Sequence, residues 1–282
     1  MTAASEGAVL DCGGRPLSLD RPRIMGVLNV TPDSFSDGGH FLDLERARAH
    51  ARQMVAEGAD VIDVGGESSR PGANPVPLEQ ELDRVIPVVE ALAGEVDCPI
   101  SVDTYKPQVA QAAVAAGAGL LNDIRALQEP GALEAAASLG VPVCLMHMQG
   151  RPQTMQAAPE YRDVVAEVAD FLAARVAAAE AAGVPRASLL LDPGFGFGKT
   201  LAHNYQLLRG LDRIAALGLP VLVGMSRKSM IGQLLERPLE ERLAGSLGAA
   251  AVAVFQGAHI VRTHDVAATA DAVRVAAAAA SA

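Results

Sequence analysis

Only three cysteines occur in the 282 residues, Cys12, Cys98 and Cys144, in unrelated surroundings and without a C-x-x-C pair. Neither a disulfide framework nor a zinc cluster is indicated, and the thiols read as small buried hydrophobes in a reducing cytosol. Basic charge is scarce as well: 23 Lys and Arg stand against 33 Asp and Glu, a formal net charge of −10. A protein that works on a polyanion needs a basic face, so no nucleic-acid partner is expected, although a local basic site remains open. The N-terminal MTAASEGAVLDCGG has no basic segment followed by an apolar core, and hence no signal peptide is expected. The apolar stretch GSLGAAAVAVFQGAHIVR is interrupted by Gly and Gln and is too rich in Ala for a membrane span. These absences predict a soluble, cytoplasmic protein with no membrane partner. Its composition, half apolar, is enough for a sizeable core.

What is present is a repeating pattern. Short apolar, β-branched runs occur at IMGVLN, DVIDVG, PISVD, GLLND, VPVCLMH, SLLLD, PVLVGMS and AHIVRT, eight in all. Helical patterns lie between them, among them LEQELDRVIPVVEALAG, AHNYQLLRGLDRIAALG and the stretch from MIGQLL through SLGAAAVAVFQG, and DVAATADAVRVAAAA follows the last run. Several end in Gly, as expected where a helix closes in a left-handed conformation. Near-continuously apolar strands, each followed by a helix, predict parallel strands buried on both faces. Eight such units at this length predict an α/β fold, a single (β/α)8 TIM barrel, with a doubly wound open sheet as the alternative on pattern alone. The opening VLDCGGRPLSL predicts an N-terminal β-hairpin turning at Gly13 and Gly14 and lying across the N-terminal end of the barrel. No linker or shift of composition divides the chain, so residues 1–282 are expected to form one domain.

Polar residues stand where the strands stop: Asn29, Asp63 with Glu67, Asp103, Asn122, His147, Asp192, Ser226 with Arg227 and Lys228, and Arg262 with His264. In a parallel barrel all these ends open on one face, so groups scattered along the chain converge there. A single Asp after a strand is ordinarily a helix N-cap; eight ends out of eight carrying such groups indicate a site. DPGFGFGKT at 192–200 looks like a phosphate loop but is not one, because three residues separate Gly194 from Gly198 where the Walker pattern needs four. It reads as a Gly-rich turn that lets backbone approach a flat ligand, with Asp192 at the strand end and Lys199 in solvent. His40, His50, His203 and His259 read as surface or helix residues, and only His147 and His264 gain interest from their positions.

Taken in order, LNVTPDSFSDGG, GGESSRPG, SVDT, NDI, DPGFGFGK, SRKS and VRTHD resemble the dihydropteroate synthases of folate biosynthesis, from Ile24 to Asp265. The resemblance implies a transferase that joins 6-hydroxymethyl-7,8-dihydropterin diphosphate to 4-aminobenzoate and releases pyrophosphate with Mg²⁺, on a barrel that is commonly a homodimer and a sulfonamide target. Matched motif by motif, it implies a pterin site of Asp103, Asn122, Ile124, Met146, Asp192, Lys228 and Arg262. The chemistry agrees, since a carboxylate accepts from the ring's amino and N–H donors while Lys228 donates to the ring carbonyl. It implies a diphosphate site of Asn29, Arg262 and His264, with Asn29 as the Mg²⁺ ligand. One neutral protein ligand suits a cation that keeps most of its waters and binds through substrate phosphates. Phe35, Ser69, Arg70, Pro71, Phe197, Lys228 and Ser229 resemble the pocket for 4-aminobenzoate or a sulfonamide. Ser69 stands where many members have Thr, which could alter sulfonamide fit, and Arg125 follows NDI where a small residue is common, with no evident role.

The implied chemistry is dissociative: pyrophosphate leaves first, and the methylene carbon becomes a cation conjugated with the dihydropterin ring. A neutral arylamine is already nucleophilic, so no strong base is needed, and no Ser-His-Asp or Cys-His arrangement is evident. The catalytic residues implied are Asp103, Asp192, Lys228, Asp37 and Arg70, with electrostatics carrying the rate. In the family the loops holding Phe35 with Asp37 and Arg70 with Pro71 fold over the site; they are expected to be mobile in the free protein and to close once pterin and pyrophosphate are bound. Two rivals share the pterin pocket. A methyltransferase passing a methyl group from methyltetrahydrofolate to a corrinoid would not need TPDSFSDGG or SSRPG, and the intact Asn29, Asp192, Lys228, Arg262 and His264 weigh against a non-catalytic relative.

Overall fold

The computed structural model of the chain describes residues 8–31, 39–70, 72–151 and 153–281. Phe35, Asp37 and Pro71, and with them the expected closure of their loops, lie outside the described residues. The chain opens with the expected hairpin, β1 (Val9–Cys12) and β2 (Arg15–Ser18), paired antiparallel with Val9 opposite Ser18. Eight parallel strands follow: β3 (Arg23–Asn29), β4 (Val61–Gly65), β5 (Ile100–Asp103), β6 (Leu120–Asp123), β7 (Val143–Met146), β8 (Leu189–Asp192), β9 (Leu222–Gly224) and β10 (Ile260–Thr263). Their order is β8-β7-β6-β5-β4-β3-β10-β9. A bridge between Leu191 and Val221, with Leu191 N donating to the Pro220 carbonyl at 2.9 Å, joins β8 to β9 and closes the ring. The closed barrel is therefore the outcome, and the open sheet is excluded.

The helices are α1 (Gly39–Ala56), α2 (Leu78–Ala93), α3 (Pro107–Ala115), α4 (Ala132–Leu139), α5 (Val164–Ala181), α6 (Leu201–Arg209), α7 (Leu211–Ala215), α8 (Ser229–Leu235), α9 (Leu243–Phe255) and α10 (Val266–Ala280). They cover the outside of the ring, so every residue of β4, β6, β7, β8 and β9 is buried, as the continuous apolar runs require. Two helical patterns that read as continuous are each divided. AHNYQLLRGLDRIAALG breaks into α6 and α7 at Gly210, where α5 presses so close that a Cβ would stand 3.0 Å from the Val165 side chain. The stretch from MIGQLL onward breaks at Glu236, which is left-handed at φ 53°, and at Pro238, which has no N–H to continue a helix.

The hairpin lies where the pattern placed it. Leu10, Cys12, Leu17 and Leu19 pack on Met25, Val61, Cys144 and Leu222, which face inward at the beginnings of their strands. The approach is so tight that a Cβ on Gly119 would meet the Cys12 carbonyl oxygen at 2.1 Å. Arg15 fastens the hairpin to the barrel by donating to the Ala93 and Cys98 carbonyls at 2.6 and 3.0 Å. Apolar packing thus seals the N-terminal end, and polar chemistry is left to the other. Register keeps the carboxyl ends level: Asn29 lies opposite Gly65, Gly65 opposite Asp103, Asp103 opposite Asn122, and Met146 opposite Asp192. Among the described residues no helix is long and apolar enough to cross a membrane.

Candidate active site at the carboxyl ends of the strands

Four strands meet in one polar network above the apolar floor. Arg262 on β10 reaches across the barrel, donating through Nε to Asp63 Oδ2 at 2.6 Å and through Nη2 to Asp103 Oδ2 at 2.8 Å. Asn122 on β6 donates to the same Asp63 oxygen at 3.2 Å. Asp63 is fully buried, and its Oδ1, like Asn122 Oδ1 and Ser101 Oγ, has no partner among the described residues. Buried oxygens of this kind ordinarily find a hydrogen-bond partner, so this floor is built to receive donors. Burial, opposed by Arg262 and reinforced by the nearby Asp63 and Glu81 charges, pushes the Asp103 carboxyl above the usual carboxylate range.

On the opposite wall β8 ends in Asp192, whose Oδ1 accepts from Gly194 N at 2.7 Å. The loop that follows folds onto the end of β7, and a side chain at Gly194 would stand 1.9 Å from the His147 carbonyl oxygen, which explains the glycine. Gly196 N donates to Asn204 Oδ1 on α6 at 2.7 Å and Phe197 N to the Gly194 carbonyl at 3.1 Å, so these two N–H groups, like Gly194 N, are already taken. Lys228 closes the wall by donating to the Phe195 carbonyl at 2.6 Å, with its ammonium 4.5 Å from the Phe197 ring centre. Burial lowers its pKa to about 8, with Asp192 opposing.

Lys199 corrects the reading from sequence, which placed it in solvent: it is only 3 % exposed. Its ammonium turns back under the loop to the Gly194 carbonyl at 2.9 Å, the Phe197 carbonyl at 3.1 Å and His147 Nδ1 at 3.0 Å. Burial brings its pKa down to about 7, and burial together with the Lys199 charge brings His147 down to about 3, so His147 is neutral at any physiological pH.

Between these polar walls Ile124, Met146, Met148, Met155 and Phe197 form a separate apolar cluster with Tyr105 at its edge. Met148 and Met155 were missed from sequence, although the M-H-M after β7 was a signal that apolar side chains continue past the strand. Ser69 shares a small cavity with Asp103, Ile124 and Tyr105. His264 Nδ1 lies 3.0 Å from Ser226 Oγ, and partial burial followed by the Arg262 and Arg227 charges lowers its pKa. Asn29 is half-buried at the end of β3, Arg70 is exposed on the segment after β4, and Ser229 is exposed at the start of α8. The structure thus joins Asp103 to Arg262 directly and Asn122 to Arg262 through Asp63, sets Asp192, Lys228 and Phe197 together on the facing wall, and places Ile124 and Met146 between.

A barrel face with carboxylates and cations on opposed walls and an apolar slab between them is suited to a flat, polar-edged ring, and the chain belongs to the family described as pterin binding enzyme, whose model matches residues 25–264. Within that family it falls among the dihydropteroate synthases, which are transferases. It is 59% identical over 262 residues to the dihydropteroate synthase of Escherichia coli strain K12, covering 93% of each chain. It also matches the solved structure of Xanthomonas albilineans dihydropteroate synthase with 4-aminobenzoic acid, at 56% identity and a TM-score of 0.92, over 97% of this chain and 98% of that one. The structure of the same Xanthomonas enzyme in complex with 7,8-dihydropteroate is matched at a TM-score of 0.87 and 52% identity, over 96% of this chain and 98% of that one.

Proposed function

We infer that the chain condenses 6-hydroxymethyl-7,8-dihydropterin diphosphate with 4-aminobenzoate to give 7,8-dihydropteroate and pyrophosphate. The observation that carries this reading is the meeting of Asp103, Asn122 and Arg262 on one wall with Asp192 and Lys228 on the other, across the slab of Ile124, Met146 and Phe197. The ring's amino and N–H edge is held by Asp192 Oδ2 and Asp103 Oδ1, each left over from the contacts described above, while Lys228 donates to the ring carbonyl. Arg262 covers the ring and, with Asn29 and His264, faces the diphosphate. As pyrophosphate departs, the positive charge on the methylene carbon and ring is met by carboxylates already in place, and the neutral arylamine attacks from the side of Ser69, Arg70 and Ser229. Incubation with the pterin diphosphate, 4-aminobenzoate and Mg²⁺ is expected to release pyrophosphate only when the arylamine is present; release that ignores the arylamine, or none, rejects the reading.

Mg²⁺ fits the donor set. The Asn29 carboxamide makes no hydrogen bond with the described residues, and these contain no cluster of three His, Cys, Asp or Glu able to hold a metal, so the ion would rest on Asn29 and on the substrate's own phosphates. Bound there it would neutralise charge on the leaving group. The chain acts as one domain in the cytoplasm.

Asp192→Asn is expected to weaken pterin binding by about 2 kcal/mol or more, because an amide N–H₂ turned toward the ring's donors replaces a charged acceptor. Arylamine binding should change far less, and calorimetry showing unchanged pterin affinity would remove Asp192 from the site. A homodimer is proposed through α9. Its small residues Ala249, Ala250 and Ala253 pack inward, while Val252 and Phe255 stand 45% and 56% exposed on the outer side. Sedimentation at micromolar concentration should give twice the chain mass; a monomer rejects the dimer.

A further inference from the structure

The segment 66–77 leaves β4, carries Ser69 and Arg70, and returns to α2. Its described residues do little to hold one another: Ala73 N donates to the Arg70 carbonyl at 3.1 Å and Arg70 N to Ser68 Oγ at 3.4 Å. Its placement comes from its roots. Arg84 donates to the Gly66 carbonyl at 2.9 Å. Beside it the Glu67 carboxylate accepts from three donors, Val76 N at 3.1 Å, the Tyr105 hydroxyl at 2.8 Å and Lys106 Nζ at 2.5 Å. Val76 is where the segment returns, so one side chain ties its departing and returning ends together. Tyr105 and Lys106 belong to the turn after β5, two and three residues past Asp103, so the same carboxylate fastens the segment to the floor of the site. Lys106 also pairs with the fully buried Glu81, which accepts from Thr104 Oγ1 at 2.7 Å.

We propose that Glu67 is a positioning residue for the arylamine subsite, clasping both ends of residues 68–75 to the Tyr105–Lys106 turn and so setting where Ser69 and Arg70 stand. This rests on the function proposed above. A carboxylate is suited to the task because its two oxygens accept from a backbone N–H, a phenol and an ammonium at once, the last as a charge-assisted bond. Pinning both ends also removes most of the shapes a closed loop could sample. The pterin contacts come from strand ends that do not depend on the clasp.

The test uses the full chain carrying Glu67→Ala, Glu67→Gln or Tyr105→Phe. Glu67→Ala is expected to raise KM for 4-aminobenzoate about tenfold and to leave the Kd for the pterin diphosphate within about twofold of wild type. Glu67→Gln keeps a carbonyl oxygen for Val76 N and should recover most of that loss. Tyr105→Phe removes one donor with the ring retained and should raise the arylamine KM about threefold, which serves if Glu67→Ala does not fold. Parallel losses of pterin and arylamine affinity, an unchanged arylamine KM, or Gln as damaging as Ala overturns the proposal. Failure of wild type to release pyrophosphate in the same assay would instead overturn the function, so the two failures are distinguished.

Discussion

Arg262→Met is expected to abolish arylamine-dependent pyrophosphate release and to remove about 3–5 kcal/mol of folding stability, the size seen when one partner of a buried ion pair is deleted. Arg262 is the cation that joins Asp63 to Asp103, and Asp63 has no exposed surface through which water could replace it. Without the guanidinium, Asp63 keeps, among the described residues, the Asn122 contact at 3.2 Å. The loss should depend on pH. Arg262 holds down an Asp103 pKa that burial already raises, so its removal lets the pKa climb further. A carboxyl whose folded pKa lies above its unfolded value contributes stability at low pH that is lost as pH rises. The variant should therefore fall further behind wild type at about pH 8 than at about pH 5. Urea unfolding at the two pH values measures this, and adding Asp63→Asn should recover part of the deficit. A variant within about 1 kcal/mol of wild type would mean that the pair holds nothing in place.

Much of this arrangement was legible because it follows from periodicity. Eight apolar runs gave the strands, parallel order put their ends on one face, and Asp103, Asn122, Asp192, Lys228 and Arg262 meet there. Closure was expected from eight units at this length, although the pattern alone left an open sheet as the alternative; the bridge between Leu191 and Val221, a contact between neighbouring units that no local pattern reports, decides between them. Lys199 was not legible, because periodicity says which face of an element is buried but not that a long side chain will bend back under a glycine turn to reach His147. The clasp at Glu67 was hidden for the same reason: Glu67 and Lys106 are 39 residues apart. Arg125, which had no reading from sequence, pairs with Glu129 at 2.8 Å and lies 5.7 Å from the Tyr105 ring centre, so it steadies the loop after β6 beside that ring. The opening loop with Phe35 and Asp37 lies outside the described residues.

Lys199→Met should change the pH dependence of stability in a way that no surface lysine could. Burial brings the folded pKa of Lys199 from 10.5 to about 7. A base depressed in this way burdens the folded state with a buried ammonium below about pH 7, where both states are protonated. Between about pH 7 and the unfolded value the unfolded chain binds more protons, so the stability of wild type gains as pH rises, by up to about 1.4 kcal/mol per pH unit. Methionine carries no such proton. The stability difference, wild type minus variant, should therefore grow by about 2 kcal/mol between about pH 6.5 and 8.5. At the higher pH wild type should be clearly ahead, because the variant leaves the Gly194 and Phe197 carbonyls and His147 Nδ1 without the donor they share. The loop they hold carries Phe197 and the carbonyl that Lys228 grips, so arylamine affinity should fall in the variant at every pH. Parallel urea unfolding of the two proteins across this range decides the matter. A difference that stays flat with pH would show that Lys199 keeps an ordinary pKa and reaches water after all.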